Sequence, residues 1–201
     1  MGIPQNKVSV EQYLMMETTT GEKLEYINGT IRSMAGTTVE HNIIMSSINR
    51  LLFMCLKEKG CLLITGDVKL STEACEKAFL YPDLHIYCGE LKKEKMKQGA
   101  YALKEPKVII EILSASTTAY DKDEKFECYR QMKSLKQYIM IESDLTEEDE
   151  NGEPKTKKEP KVYVRELENE NKFIEEVLGL EGVLEILGCK VNVKDIYQFV
   201  M

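Results

Sequence analysis

The 201-residue sequence lacks several features that would place the protein in a membrane or outside the cell. It does not open with a basic stretch followed by an apolar segment, so we expect no secretory signal and a cytoplasmic location. No apolar run approaches the ~18–20 residues that a membrane-spanning helix needs. These absences favour a globular domain that folds around its own core.

Cysteines are present, but without the spacing of a metal or redox motif. The six are Cys55, Cys61, Cys75, Cys88, Cys128 and Cys189. No two of them form a Cys-x-x-Cys half-site. With a cytoplasmic location expected, a disulfide framework is not. We therefore predict that the cysteines are buried small hydrophobic residues and incidental thiols.

An excess of positive charge is also missing, since the formal net charge is −7. Residues 142–160 hold eight acidic residues and three lysines, a local charge of −5 that leaves only −2 on the rest. The overall sign argues against a general nucleic-acid binder. Because the remainder is nearly neutral, it can still present a basic face to a nucleic acid.

Local signals predict two N-terminal helices, over about 9–17 and 38–59, with a β-hairpin between them. Each helix has a capping box at its start, and an Asn-Gly pair between strand-like runs is a strong hairpin signal. These signals are Ser9 to Gln12, Thr37 to Glu40, and Asn28-Gly29.

The rest of the chain alternates apolar runs with one longer helical pattern. Strands are predicted at about 61–70, 79–87, 107–113, 136–142, 161–167 and 172–180, and helices at about 119–133 and 193–200. Residues 88–105 read as a loop and 143–160 as an acidic, flexible connection. We predict one α/β domain over 1–201, with a central mixed sheet flanked by helices. The 79–87 and 107–113 strands should be neighbours.

Two carboxylates stand out on those neighbouring strands. Glu111 lies inside the apolar run VIIEIL, where an ionised group is costly unless it is paired, hydrogen-bonded or bound to a metal. Pro82 removes a sheet donor, so Asp83 should lie near an opening in the sheet. A salt bridge for Glu111 and a simple turn position for Asp83 are the alternatives to a metal site.

Further candidates lie on the helices and the hairpin. Asp121, Lys125 and Tyr129 are four residues apart, so they share a helical face. His41 is in the first turn of its helix, on the apolar side, and Glu25 precedes the hairpin turn. A solvated lysine and a core histidine are the alternatives for Lys125 and His41.

Taken together, these residues resemble the Uma-type restriction-endonuclease family of the PD-(D/E)XK nuclease superfamily. The resemblance rests on the Glu25–Gly29 hairpin, His41, Pro82-Asp83, the VIIEILSAST block and the stretch from Lys125 to Tyr138. One position departs from the superfamily signature, because a leucine, Leu113, stands two residues after Glu111 where a lysine is expected. The resemblance makes Lys125 the replacement.

The resemblance implies a restriction-endonuclease-like core and a metal-dependent endonuclease acting on DNA. Asp83, Glu111 and His41 would be the metal ligands, for Mg²⁺ or Mn²⁺, and Lys125 would join them in catalysis. Glu25, Asp121 and Tyr129 would support the site, and a homodimer is conceivable by analogy. Two other functions stay open: an inactive nuclease-fold module with a binding or regulatory role, and an enzyme acting on RNA or small nucleotides.

Overall fold

The computed structural model describes residues 7–34, 36–96, 100–114, 117–148, 154–169 and 172–201. The helices are α1 (Val10–Thr20), α2 (Val39–Glu58), α3 (Thr118–Tyr120), α4 (Phe126–Tyr129) and α5 (Val193–Ile196). A π-helical turn, Asp121–Lys125, joins α3 to α4, and we call the continuous unit the 118–129 helix. A 3₁₀ turn spans Ala74–Glu76. Within the described residues, no helix has the length and apolar character needed to cross a membrane.

Sixteen strands complete the described fold. The first eight are β1 (Leu24–Ile27), β2 (Thr30–Ser33), β3 (Cys61–Thr65), β4 (Leu70–Thr72), β5 (Ala78–Leu80), β6 (Leu84–Cys88), β7 (Lys93–Lys95) and β8 (Tyr101–Leu103). The others are β9 (Val108–Leu113), β10 (Gln137–Glu142), β11 (Thr146–Glu148), β12 (Pro154–Lys157), β13 (Val162–Asn169), β14 (Lys172–Leu178), β15 (Val183–Ile186) and β16 (Cys189–Asn192).

Two six-stranded mixed sheets carry the architecture. The first sheet has the order β2-β1-β5-β4-β8-β7 and the second β14-β13-β10-β9-β6-β3. In the second sheet β9 and β10 are parallel, while β6 runs antiparallel to β9. The predicted mixed α/β fold is therefore confirmed, and the predicted neighbours at 79–87 and 107–113 meet through β6 and β9.

The second sheet is covered on both faces, which explains its apolar central strands. On one face α2 packs through Ile44, Ile48 and Leu52 in a cluster that includes Ile110. On the other face the 118–129 helix and the first sheet pack around Ile109. All six residues of β9 are buried as a result, as a strand covered on both faces requires.

Helix and hairpin ends follow the local signals, with one exception. Ser9 and Gln12 form the predicted capping box of α1. Asn28 and Gly29 both have positive φ, 46° and 89°, as the hairpin turn demands. The predicted capping box at Thr37 is wrong, because Thr38 is the N-cap of α2 and accepts from the backbone N–H of His41.

Two of the predicted strands are wrong, because neither is a single strand. Each divides into two shorter strands that belong to different sheets. The 79–87 run breaks at Pro82, which has no N–H to donate to a ladder. Its first half, β5, joins the first sheet and its second half, β6, joins the second. The 61–70 run breaks in the same way into β3 and β4. The chain therefore passes from the first sheet to the second at residues 81–83, where the two sheets meet.

Shorter elements also differ from the sequence predictions. The predicted loop at 88–105 contains β7 and β8, which pair with each other. The acidic segment 143–160 contains a second small hairpin, β11 with β12, while residues 149–153 lie outside the described residues. A further hairpin, β15 with β16, precedes α5, which is shorter than the predicted 193–200 helix.

The prediction for the cysteines is wrong for four of the six. Disulfides join Cys55 to Cys189 and Cys61 to Cys88. The fold brings each pair together from distant positions: Cys61 and Cys88 are register partners on β3 and β6, and α2 packs against β16. Spacing along the chain therefore gave no sign of either pair. Cys75 and Cys128 are free.

Candidate active site

Asp83 and Glu111 meet at the start of β6. The backbone N–H of Asp83 donates to Glu111 Oε2 at 3.3 Å, and the backbone N–H of Ile112 donates to Asp83 Oδ2 at 2.7 Å. The Glu111 side chain is 3% exposed, whereas that of Asp83 is 18% exposed. These reciprocal bonds fix the two carboxylates side by side, with Asp83 nearer to solvent.

Lys125 points inward, towards these carboxylates. Its Nζ lies 3.1 Å from Glu111 Oε1, 3.1 Å from Glu25 Oε1 and 3.2 Å from Asp121 Oδ1. The π-helical turn brings both Asp121 and Lys125 to the buried side of the 118–129 helix. Such wide turns occur mostly as local insertions in α-helices and often mark functional sites.

The cluster keeps Lys125 protonated. Burial by itself lowers the pKa of Lys125, but the carboxylates of Glu111, Glu25 and Asp121 more than offset it, so this pKa lies well above its usual value. Burial raises the pKa of Glu111 well above its usual value, against the opposing effect of Lys125 and with the help of Asp121, Asp83 and Glu25. Glu111 is therefore the carboxylate whose ionised form most needs a nearby cation.

Two tyrosines and one backbone group hold the carboxylates in place. The Tyr129 hydroxyl donates to Glu111 Oε1 at 3.1 Å, and burial, followed by Glu111, raises the pKa of Tyr129 well above its usual value. The Tyr81 backbone N–H donates to Glu25 Oε1 at 3.0 Å. The Tyr138 hydroxyl donates to the Asp121 carbonyl at 2.8 Å, which anchors the π-helical turn to β10.

His41 reaches the site from the first turn of α2. Its Nε2 lies 3.2 Å from Asp83 Oδ2. Its Nδ1 is buried and has no hydrogen-bond partner among the described residues. The predicted site residues Glu25, His41, Asp83, Glu111, Asp121, Lys125 and Tyr129 thus come together, although their chemical roles remain predictions.

A cavity of about 200 Å³ opens onto the cluster. Arg32 and Tyr120 line it as well, and the sequence analysis missed both. The Arg32 guanidinium lies 4.4 Å from the centre of the Tyr120 ring and pairs with Glu124 at 2.7 Å. The hairpin register could have identified Arg32, because it is the cross-strand partner of Glu25. No comparable signal points to Tyr120.

Negative charge exceeds positive charge in this cluster. Glu25, Asp83, Glu111 and Asp121 surround one lysine, and Lys125 Nζ occupies the space between three of them. In the part of the chain that the structure describes, no three His, Cys, Asp or Glu side chains are arranged to hold a metal ion. Any cation would therefore have to bind at the more exposed edge, beside Asp83.

Comparisons with known proteins place the chain in a family. The model of the Uma2 family, described as "Putative restriction endonuclease", matches residues 10–186. Two Synechocystis sp. PCC 6803 proteins, uncharacterized proteins sll1609 and slr1290, are 31% identical over 135 residues and 30% identical over 146 residues. The matches cover 67% and 73% of this chain, and 75% and 74% of those proteins.

A solved structure has the same fold. It is a crystal structure of a "putative nuclease belonging to DUF820" from Anabaena variabilis, with a TM-score of 0.66 and 15% identity. The match covers 90% of this chain and 93% of that one. The fold likeness and the match to the family model lead to one conclusion: the chain belongs to the Uma2 family.

Proposed function

We propose that the chain is a metal-dependent endonuclease that hydrolyses phosphodiester bonds of DNA. The observation that carries the proposal is the convergence of the Asp83 and Glu111 carboxylates and the Lys125 ammonium on one cavity. Carboxylates that hold a hard cation, with a lysine beside them, are the groups that phosphodiester hydrolysis requires. The description of the Uma2 family supports the same reaction class.

The oxygen donors at the exposed edge, beside Asp83, are of the type that a hard divalent cation prefers. Mg²⁺ prefers oxygen ligands, retains several waters and needs only one or two carboxylates from the protein. Asp83 and Glu111 would hold it, with His41 as a further ligand or as the holder of a bound water. Four carboxylates around one lysine leave a charge that a cation would balance. Bound there, Mg²⁺ or Mn²⁺ would activate a water and neutralise charge on the scissile phosphate.

The remaining groups would stabilise the charge that develops on the phosphate and hold the catalytic side chains in position. Lys125, kept charged by three carboxylates, would donate to a phosphate oxygen as negative charge develops. Glu25 and Asp121 hold its ammonium in place. Tyr129 donates to Glu111 and so fixes the orientation of that carboxylate. These contacts exist before any substrate binds, so little reorganisation is needed at the moment of reaction.

Relaxation of supercoiled plasmid DNA tests the proposal. Cleavage is expected with Mg²⁺ or Mn²⁺, should stop with EDTA and should be abolished by Asp83→Ala. Asp123→Ala is the matched control, because Asp123 is an exposed aspartate on the 118–129 helix. Structured RNA and methyl p-nitrophenyl phosphate, assayed in parallel, would identify an enzyme for RNA or small phosphodiesters. No metal-dependent cleavage of any of them would instead indicate an inactive binding module.

A further inference from the structure

A second cavity shares part of its lining with the first, including His41 and Asp83. The first cavity measures about 200 Å³ and the second about 550 Å³. Ser33, Met34 and Thr37 line both, together with the His41–Asp83 pair. The two are therefore parts of one cleft, and Asp83 lies at the point where they meet.

The two cavities differ in chemistry. The smaller one contains the charged groups Glu25, Glu111, Asp121 and Lys125. The larger one is lined by Met34, Met45 and Pro82, by neutral polar groups, and by the charged side chains of Glu22, Lys23, Asp67 and Asp83. The apolar wall and the neutral polar groups of the larger cavity can take up an uncharged ring and sugar.

The polar groups of the larger cavity are held in place by the start of α2. The Asn42 amide nitrogen donates to Thr37 Oγ1 at 2.9 Å and to the Thr38 carbonyl at 2.8 Å. Both of its hydrogens are thereby used, so the Asn42 carboxamide oxygen is the atom that can accept from a ligand. The Lys23–Asp67 ion pair also lines this cavity.

Volume decides which cavity takes which part of a substrate. Sites for small organic ligands usually measure about 300–1,000 Å³, a range that includes the larger cavity and excludes the smaller. The smaller cavity has room for a phosphate and the groups that act on it. A nucleoside attached to that phosphate would have to extend past Asp83 into the larger one.

Building on the function proposed above, we propose that the larger cavity is the subsite for the nucleoside next to the scissile phosphate. The ligand class is therefore a nucleoside within a polynucleotide, bound through its base and sugar. Occupation of this subsite places the phosphodiester at Asp83. Substrates without a nucleoside on this side lose that positioning and bind more weakly.

Filling the larger cavity tests the assignment. Met45→Trp puts a bulky ring into it, and Asn42→Trp does the same from an exposed position if the first variant fails to fold. Met54→Trp is the matched control, because Met54 is on the same helix but 59% exposed. The substrates are a single-stranded DNA octanucleotide and methyl p-nitrophenyl phosphate, each with Mn²⁺.

The expected result is a rise of about tenfold in KM for the octanucleotide, the size of losing one base contact. Turnover of methyl p-nitrophenyl phosphate should stay unchanged, and Met54→Trp should match the wild type in both assays. An unchanged octanucleotide KM would overturn the subsite while leaving the proposed nuclease function intact. An equal loss on both substrates would also overturn it, because the larger cavity would then not be separate from the catalytic groups.

If the wild type cleaves neither substrate, the nuclease function itself is refuted. A binding measurement then tests the subsite independently. Fluorescence anisotropy of a labelled phosphorothioate octanucleotide, in Ca²⁺, reports binding without cleavage. Weaker binding by Met45→Trp and Asn42→Trp than by Met54→Trp would support the subsite. Equal binding by all three variants would overturn it.

Discussion

Replacing Lys125 by alanine removes the ammonium that balances three buried carboxylates. Its side chain is 7% exposed and lies within 3.2 Å of Glu25, Glu111 and Asp121. Removing one partner of a buried ion pair costs about 3–5 kcal/mol, because the remaining charge stays buried without compensation. We expect a loss of that size in the free energy of unfolding of Lys125→Ala at neutral pH and without divalent metal. A domain in the middle or upper part of the ordinary stability range, about 5–15 kcal/mol, would remain folded.

The loss of unfolding free energy caused by Lys125→Ala should become smaller as the pH falls. Burial already raises the pKa of Glu111 in the wild type, and loss of Lys125 would raise it further. The folded variant then binds a proton that the unfolded chain releases, so its stability decreases as the pH rises above the ordinary glutamate pKa of about 4.3. The difference between variant and wild type should therefore be larger at pH 7 than at pH 5.

Divalent metal should also reduce the stability difference between Lys125→Ala and the wild type. Without the lysine, the carboxylates attract a cation more strongly, and a ligand that binds the folded state raises its stability. Mn²⁺ should therefore raise the Tm of Lys125→Ala more than that of the wild type. Cleavage by the variant should fall by roughly two to three orders of magnitude, and Lys125→Arg should restore only part of it, because its planar fork differs in shape from an ammonium.

Urea unfolding followed by circular dichroism measures the stability. Lys190→Ala is the control, because Lys190 is 71% exposed and its pair with Glu185 is 3.9 Å long, so its effect should not exceed about 1 kcal/mol. The reasoning fails if Lys125→Ala unfolds within about 1 kcal/mol of the wild type. It also fails if Mn²⁺ shifts the Tm of both proteins equally.

Three other predictions follow from the fold. Asp83→Asn should fold normally, since an amide oxygen can still accept from Ile112, but should lose Mn²⁺ binding in calorimetry; unchanged binding would move the metal site elsewhere. A thiol titration in denaturant without reductant should find two free thiols, Cys75 and Cys128, and six thiols after reduction. Six thiols before reduction would exclude the disulfides. Replacing residues 146–157 with a short Gly-Ser linker should leave the Tm and any cleavage nearly unchanged, because β11 and β12 pair only with each other among the described strands; a large fall in Tm would contradict this.

Elements with strong local signals could be predicted from the sequence. The capping box of α1, the Asn28-Gly29 turn and the apolar run of β9 each depend on residues close together in the chain. The division of 61–70 and 79–87 between two sheets could not be predicted, because it depends on pairing with distant strands. The disulfides escaped prediction for the same reason.

The sequence predicted where the candidate site lies better than it predicted the contacts within the site. A carboxylate inside a buried strand stood out by itself, and the resemblance to the Uma-type family added the lysine on the following helix. Lys125 does contact Glu111. That Lys125 sits between three carboxylates depends on the π-helical turn, which has no clear sequence signal. The position of Arg32 depends on hairpin register, and that of Tyr120 on how the 118–129 helix packs.

Several elements of the fold each contribute residues to the cluster. Glu25 comes from the first sheet, Asp83 and Glu111 from the second sheet and its entry, His41 from α2 and Lys125 from the 118–129 helix. Contacts between such distant positions form late, after the cost of closing long loops has been met. During synthesis, the emerging chain therefore cannot assemble these groups until the segment beyond residue 125 has left the ribosome. A nascent chain that ends before this point would carry only part of the cluster.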